Sequence, residues 1–187
     1  ISHHPYIMSG LKSIDFSKNP DIRTIIQNNI AVYSMHTNFD FCYGGLNDIL
    51  CELLGLTNYV PEKENELRIG KLARPVLLSE FISDIKKIFH VQTVQYCGDL
   101  SKTVETVAIC SGGGGAYIEN AKAADVYLTG EIKYHEFDKA NKLGVAVVTA
   151  GHFETEDIGL FQIRNILKEL DIEVLETNVH KGFSNFI

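Results

Sequence analysis

The sequence predicts an α/β protein of two related lobes, each containing βαβ units. Three observations carry this expectation. From Val104 onward, short apolar runs (104–110, 125–129 and 145–148) alternate with helical patterns, the signature of strands joined by helices. The balance of 45% hydrophobic and 22% charged residues over 187 positions is that of a globular chain able to bury a sizeable core. Finally, an early unit echoes the later ones. It has a strand, then residues 36–40, then Gly44-Gly45 and a helix, and both regions pair glycines with a histidine and an acid.

In chain order, Pro20 at a first turn and Ile22, Ile25 and Ile26 on one side predict a short helix over 19–29. Residues 31–36 read as a strand and 37–40 as the loop at its carboxyl end. A helix follows to about Leu54, with Leu46, Ile49, Leu50, Leu53 and Leu54 apolar and Gly55 suited to cap it. The polar stretch 57–65 reads as a loop between lobes, and 67–72 as a strand. Ser79 is placed to cap a helix running to about Phe89, with His90 at its end and Phe81, Ile82, Ile85 and Ile88 buried. Residues 91–96 alternate as a strand.

Strand 104–110 runs into Ser111-Gly112-Gly113-Gly114-Gly115 and then a helix over 117–123. That arrangement lets backbone N–H groups approach an anion. A tight turn needing positive φ accounts for the same glycines. Strand 125–129 leads to Glu131 and His135 at the start of a helix ended by Gly144. Strand 145–148 leads through Gly151 to a helix with Ile158, Phe161, Ile163, Ile166, Leu167 and Leu170 apolar. Residues 173–178 read as a last strand, and His180 lies in an exposed tail.

Charge and composition exclude several classes. The net charge of −7, without a basic stripe, argues against a sequence-independent grip on nucleic acid. No apolar run approaches the ~20 residues that span a bilayer, and the first residues are no signal peptide. They read like the end of a strand and its loop, so the natural protein is expected to continue upstream. Cys42, Cys51, Cys97 and Cys110 form no C-x-x-C pair and suit reduced thiols in a cytoplasmic protein.

The chemistry concentrates at three strand ends: His3-His4, His36 with Asp40, and His152 with Glu156. On a helix beginning near His152, the four-residue spacing places His152 and Glu156 on one face of the first turn. Imidazole and carboxylate mixtures suit Zn, Fe, Mn, Co or Ni, and a shared carboxylate suits two ions ~3.5–4 Å apart. Each group also has a plainer reading. Acidic residues favour a helix N-terminus, a loop Asp forms turns, and adjacent histidines occur in exposed loops.

Five segments together resemble the NIF-three-like family, whose bacterial members are often named GTP cyclohydrolase 1 type 2 homologs. They are His3-His4-Pro5 with Gly10-Leu11-Lys12-Ser13-Ile14; His36-Thr37-Asn38-Phe39-Asp40 with Gly44-Gly45-Leu46-Asn47-Asp48; the glycine run 111–115; Thr129-Gly130-Glu131 with Lys133-Tyr134-His135; and Gly151-His152-Phe153-Glu154-Thr155-Glu156. They follow the family's order across nearly the whole chain. The resemblance implies one domain over 1–187, with lobe one at about 1–60 and lobe two at about 92–187. A dinuclear metal site would lie in the crevice between the lobes, and the protein would assemble as a homohexameric ring. His3, His4, Asp40, His152 and Glu156 would bind two divalent ions, with Glu156 bridging, while His36 and His135 would line the pocket as catalytic residues. The family's amino-terminal segment and the large domain that some members insert between the lobes are absent. The function expected is a metal-dependent hydrolase acting on a nucleotide-like or anionic small molecule. The alternative is a metal-binding regulatory or protein-interaction ring.

Overall fold

The computed structural model describes residues 1–61 and 67–177. The chain forms two compact units, Ile1–Asp40 and the remainder from Phe41.

The first unit contains helix α1 (Pro20–Gln27), with Pro20 at its start and Ile22 buried, as the pattern predicts. Residues 31–36 are not a strand ladder. Ser2 and Ser34 make a single parallel bridge, closed by Ser2 N–H to Tyr33 O (3.1 Å) and Met35 N–H to Ser2 O (2.8 Å). Among the described residues the pairing goes no further than this bridge. Residues 37–40, expected as a loop, form one helical turn, α2 (Thr37–Asp40). His36 O accepts the N–H groups of both Phe39 and Asp40.

The second unit is built on a six-stranded sheet of order β1-β2-β4-β5-β6-β3. Its strands are β1 (Thr57–Pro61), β2 (Arg68–Leu77), β3 (Gln95–Cys97), β4 (Thr103–Gly113), β5 (Val126–Glu131) and β6 (Ala146–Thr149). Strands β4, β5 and β6 are mutually parallel, and the other pairings are antiparallel. The parallel order at the centre of the sheet follows the expected pattern, with a helical crossover (Tyr134–Leu143) between β5 and β6, whereas the connection from β4 to β5 and the edges depart from expectation. Residues 57–61 form a strand rather than a loop, folding back antiparallel on the start of β2 with Thr57 opposite Lys71, Val60 opposite Ile69 and Pro61 opposite Arg68. The register of β2 on β4 slips between Lys71 and Val76. That interval holds Pro75, which has no N–H to give a ladder. Of the expected strand 91–96, only Gln95 and Tyr96 are in β3, which extends to Cys97. Residues 173–177 form no strand, and Asn178 and His180 lie outside the described residues.

Both faces of the sheet are covered, and strict alternation along the parallel strands assigns each side chain. Val107, Ile109, Val126, Leu128, Ala146 and Val148 face one core. There they meet Leu50 and Cys51 of α3 (Leu46–Leu53), Phe81 and Ile85 of α4 (Leu78–Ile88), and Ile158 of α6 (His152–Lys168). Ala108, Cys110, Tyr127 and Val147 face the other core, with Ala140 and Phe137 of α5 (Tyr134–Leu143). Continuous apolar strands are what a doubly covered parallel sheet requires. Helix α4 starts two residues earlier than a Ser79 cap would place it, and no side chain caps it; Ser79 lies within its first turn. Burial pushes the Cys51 thiol up to about 12, as suits an inert packing cysteine.

A buried ion pair locks α3 to the sheet. Arg68 Nε donates to Asp48 Oδ1, and the same guanidinium donates to Phe41 O (2.9 Å) and Cys42 O (3.1 Å). Asp48 Oδ2 accepts the Gly44 N–H at 2.7 Å. Every charge in this cluster is thereby hydrogen-bonded, the condition for keeping ions in a dry interior.

Candidate metal centre

In the first unit, His3 lies beside the extended segment that the Ser2–Ser34 bridge holds in place. Its Nδ1 donates to Met35 O at 2.7 Å. A carbonyl only accepts, so this bond fixes the tautomer and leaves Nε2 as the ligand atom. Nε2 lies 3.7 Å from Asp40 Oδ1, and the His3 side chain is only 10% exposed. His4 is exposed and His36 half-buried. His36 Nδ1 lies 3.3 Å from Thr37 Oγ1.

In the second unit, the carboxyl ends of the parallel strands deliver the remaining candidates. Helix α6 begins at His152, directly after β6, with Gly151 as its cap residue. His152 Nε2 and Glu156 Oε1 are 3.0 Å apart, the one-face placement that their spacing predicts. His152 Nδ1 pairs at 3.0 Å with Glu131 Oε1, at the end of β5. Sequence reasoning matched Glu131 with His135 instead. Glu131 closes a strand and α5 starts only at Tyr134, so the two share no helical face, and His135 is exposed in the first turn of α5. The Glu156 carboxylate, joined by Glu131 against the opposing effect of partial burial, pushes the His152 imidazolium up to about 9.

Two residues that the sequence did not single out set this geometry. Thr155 is fully buried. Its hydroxyl accepts the Gly112 N–H (3.1 Å) and donates to Gly151 O (2.8 Å), pinning the first turn of α6 to the end of β4. Gly112, at φ +57, lies against the ligands. A methyl group there would overlap Glu156 Oε1 and approach His152 Nε2 to 3.3 Å. The one sequence signal for Thr155 is a hydroxyl between two candidate ligands.

The glycine run behaves differently from expectation. Strand β4 continues through Gly113, and only two short 3-10 turns follow (Gly115–Tyr117 and Asn120–Ala123), not a helix over 117–123. Ser111 N–H donates to Asn47 Oδ1, Gly112 N–H to Thr155 Oγ1 and Gly114 N–H to Thr129 Oγ1. These groups serve the fold and offer no anion cradle. Close packing accounts for Gly114, where an added methyl would meet Thr129 Cβ at 3.0 Å.

The donors fit a divalent cation. Two ligands ~2.0–2.1 Å from a tetrahedral ion stand about 3.3 Å apart. The His152–Glu156 and His3–Asp40 separations, 3.0 and 3.7 Å, bracket that value.

Residues 1–182 match the profile of the family described as Duf34/NIF3 (NGG1p interacting factor 3). A Clostridium acetobutylicum protein named GTP cyclohydrolase 1 type 2 homolog is 34% identical over 168 residues, 83% of this chain; the chain spans 63% of that relative's length. Among solved structures, a Bacillus cereus protein related to NIF3 superposes with a TM-score of 0.81 at 23% identity, over 99% of this chain and 82% of that one. Reduced HcgD from Methanocaldococcus jannaschii gives a TM-score of 0.77 at 31% identity, over 91% of this chain and 70% of that one. Among the described residues no helix is long and apolar enough to cross a membrane.

Proposed function

This chain belongs to the Duf34/NIF3 family, and from that membership and its ligand geometry we propose that it binds a pair of divalent cations and works as a metal-dependent hydrolase. His3, His4, Asp40, His152 and Glu156 are the ligands, with Glu156 shared. One observation carries the reading. His3 and His152 each stand beside a carboxylate at ligand spacing, and each has its other ring nitrogen held by an acceptor, Met35 O and Glu131 respectively. Outer acceptors of this kind are what orient metal-binding histidines.

Bound divalent cations supply Lewis acidity, polarising a substrate oxygen and acidifying water. The chain's own residues place the ions and control protons. Glu131 holds the His152 ring, Thr155 fixes the turn that carries His152 and Glu156, and His36 and His135 are the candidates to move protons. The substrate class is a nucleotide-like or otherwise anionic small molecule, drawn by the cations themselves. The working form is a cytoplasmic homohexameric ring. Metal-reconstituted protein screened on nucleotides, cyclic amides and phosphoesters tests this. Turnover lost in Asp40→Ala and in Glu156→Ala supports it, and turnover surviving both removes the site from the chemistry.

A second reading, a metal-binding regulatory or protein-interaction ring, gains from one observation. The N–H groups of Ser111, Gly112 and Gly114, which would have seated an anion, are engaged within the fold. An exchangeable coordination position favours the enzyme, and a closed site favours the regulator.

A further inference from the structure

We propose that Tyr134 is a specificity residue of the substrate site, its phenol ring forming the platform on which a planar heterocyclic base stacks. The inference rests on the reading of the substrate as nucleotide-like, and it names the residue that recognises the base.

The topology makes a crevice. Strands β5 and β6 lie side by side and parallel. Their hydrogen bonds run to the strand ends, from Ala150 N–H to Thr129 O (2.9 Å) and from Gly151 N–H to Gly130 O (3.0 Å). The chain then leaves the two strands on opposite sides. Helix α5 follows β5 and packs on the core of Tyr127 and Val147, whereas α6 follows β6 and packs Ile158 on the core of Leu128 and Val148. Helices departing to opposite faces open a crevice beyond the carboxyl ends of their strands, the place where open α/β sheets bind ligands. His152 and Glu156 stand on the α6 side, and Glu131 at the end of β5 reaches His152 at 3.0 Å. The other side is the first turn of α5, which begins at Tyr134.

Helix phase aims Tyr134 over that crevice. Tyr134 lies three residues before Phe137 and six before Ala140, on the face that these two turn to the sheet. Ala140 is fully buried and Phe137 partly so, yet Tyr134 is 91% exposed. A side chain in core phase is left in solvent when it stands past the end of the sheet. The Cα–Cβ bond tilts toward the amino end of a helix, which carries the ring further over the strand ends. The turn beneath it is fixed. Lys133 O accepts the N–H groups of Glu136 (2.9 Å) and Phe137 (3.2 Å), and the Glu136 carboxylate accepts the Lys133 N–H. An aromatic ring with few rotamers on a fixed turn gives up little entropy when a ligand covers it. Stacking asks only for a π-face, so the ligand class is a planar aromatic ring of either purine type.

The test measures, by calorimetry on the full chain supplied with Zn2+, the affinities of AMP, GMP and ribose 5-phosphate, which keeps sugar and phosphate but has no base. Tyr134→Leu is expected to weaken both nucleotides by roughly 5- to 150-fold, the span of base–aromatic stacking, and to leave ribose 5-phosphate unchanged. Tyr134→Phe keeps the ring and should keep the affinities. Tyr134→Gln repeats the loss, and circular dichroism checks that each variant is folded. Nucleotides that bind no tighter than ribose 5-phosphate, or that ignore both the Leu and Gln substitutions, overturn the proposal. A Tyr134→Leu chain of lower sedimentation mass with unchanged affinities overturns it too, because the ring then faces a second copy. A chain that takes up no zinc, yet loses AMP and GMP on Tyr134→Leu, refutes the metal reading and keeps this one. A zinc-loaded chain indifferent to the base does the reverse.

Discussion

The paired carboxylates around His152 make metal binding compete with a proton. In the metal-free protein Glu156, followed by Glu131, holds the His152 imidazolium up to about 9, against an ordinary 6.5. Raising the folded-state value stabilises the protonated form. That contribution to stability is complete below pH 6.5 and disappears as pH rises through about 9. A cation requires the neutral ring. At pH 7 roughly one molecule in a hundred offers it, so apparent affinity should climb about tenfold per pH unit from 7 and level near 9. Zinc binding at pH 7 should correspondingly release close to one proton from His152. Competition with a chromogenic chelator between pH 6.5 and 9 measures the slope, and calorimetry in two buffers of different ionisation enthalpy counts the protons. Glu131→Gln should move the rise to lower pH. Its affinity on the high-pH plateau should fall 10–100-fold, because the ring loses its charged acceptor. Affinity that is flat from pH 7 to 8.5, with no proton released, refutes the reasoning.

Other consequences can be tested on the same preparation. Gly112→Ala puts a methyl group onto Glu156 and asks a non-glycine residue to keep φ +57. Metal per protomer should fall, and urea unfolding should show a loss of about 1–2 kcal/mol. Glu156→Gln should lower metal content, whereas Glu154→Gln should leave it near normal; elemental analysis decides, and the reverse result means the helix phase is misread. Arg68→Met leaves Asp48 buried without its partner and should destabilise the protein by about 3–5 kcal/mol in urea. Pairing it with Asp48→Leu should recover part of the loss.

The centre of the fold was legible because parallel strands buried on both faces are apolar along their whole length, and helices with glycine ends flank them. The edges were not. Residues 57–61 form a strand because they fold back antiparallel on the start of β2, from Arg68 to Lys71, a pairing that their polar composition does not announce, and residues 31–36 make only the bridge of Ser34 to Ser2. Spacing alone found the His152–Glu156 pair, since four residues on a helix define one face. Glu131 escaped for the opposite reason. Its role depends on the parallel register that brings the end of β5 beside the start of α6, and no local pattern encodes that. Counting glycines suggested an anion cradle at 111–115. The partners of the Ser111, Gly112 and Gly114 N–H groups are Asn47, Thr155 and Thr129, up to 64 residues away in sequence, so only the folded chain reveals that these three are engaged.

The Thr155 hydroxyl also makes a clock. The Gly112 amide proton is held by a side chain of α6, while those of Ala150 and Gly151 are held by the carbonyls of Thr129 and Gly130. Exchange with solvent at Gly112 therefore times the lifting of a single helical turn, and exchange at the other two times the parting of strands. Local openings are usually far more frequent than the rupture of core sheet structure. The turn that carries two proposed ligands thus has its own rate of release, readable at one backbone position and separable from the unfolding of the sheet beneath it.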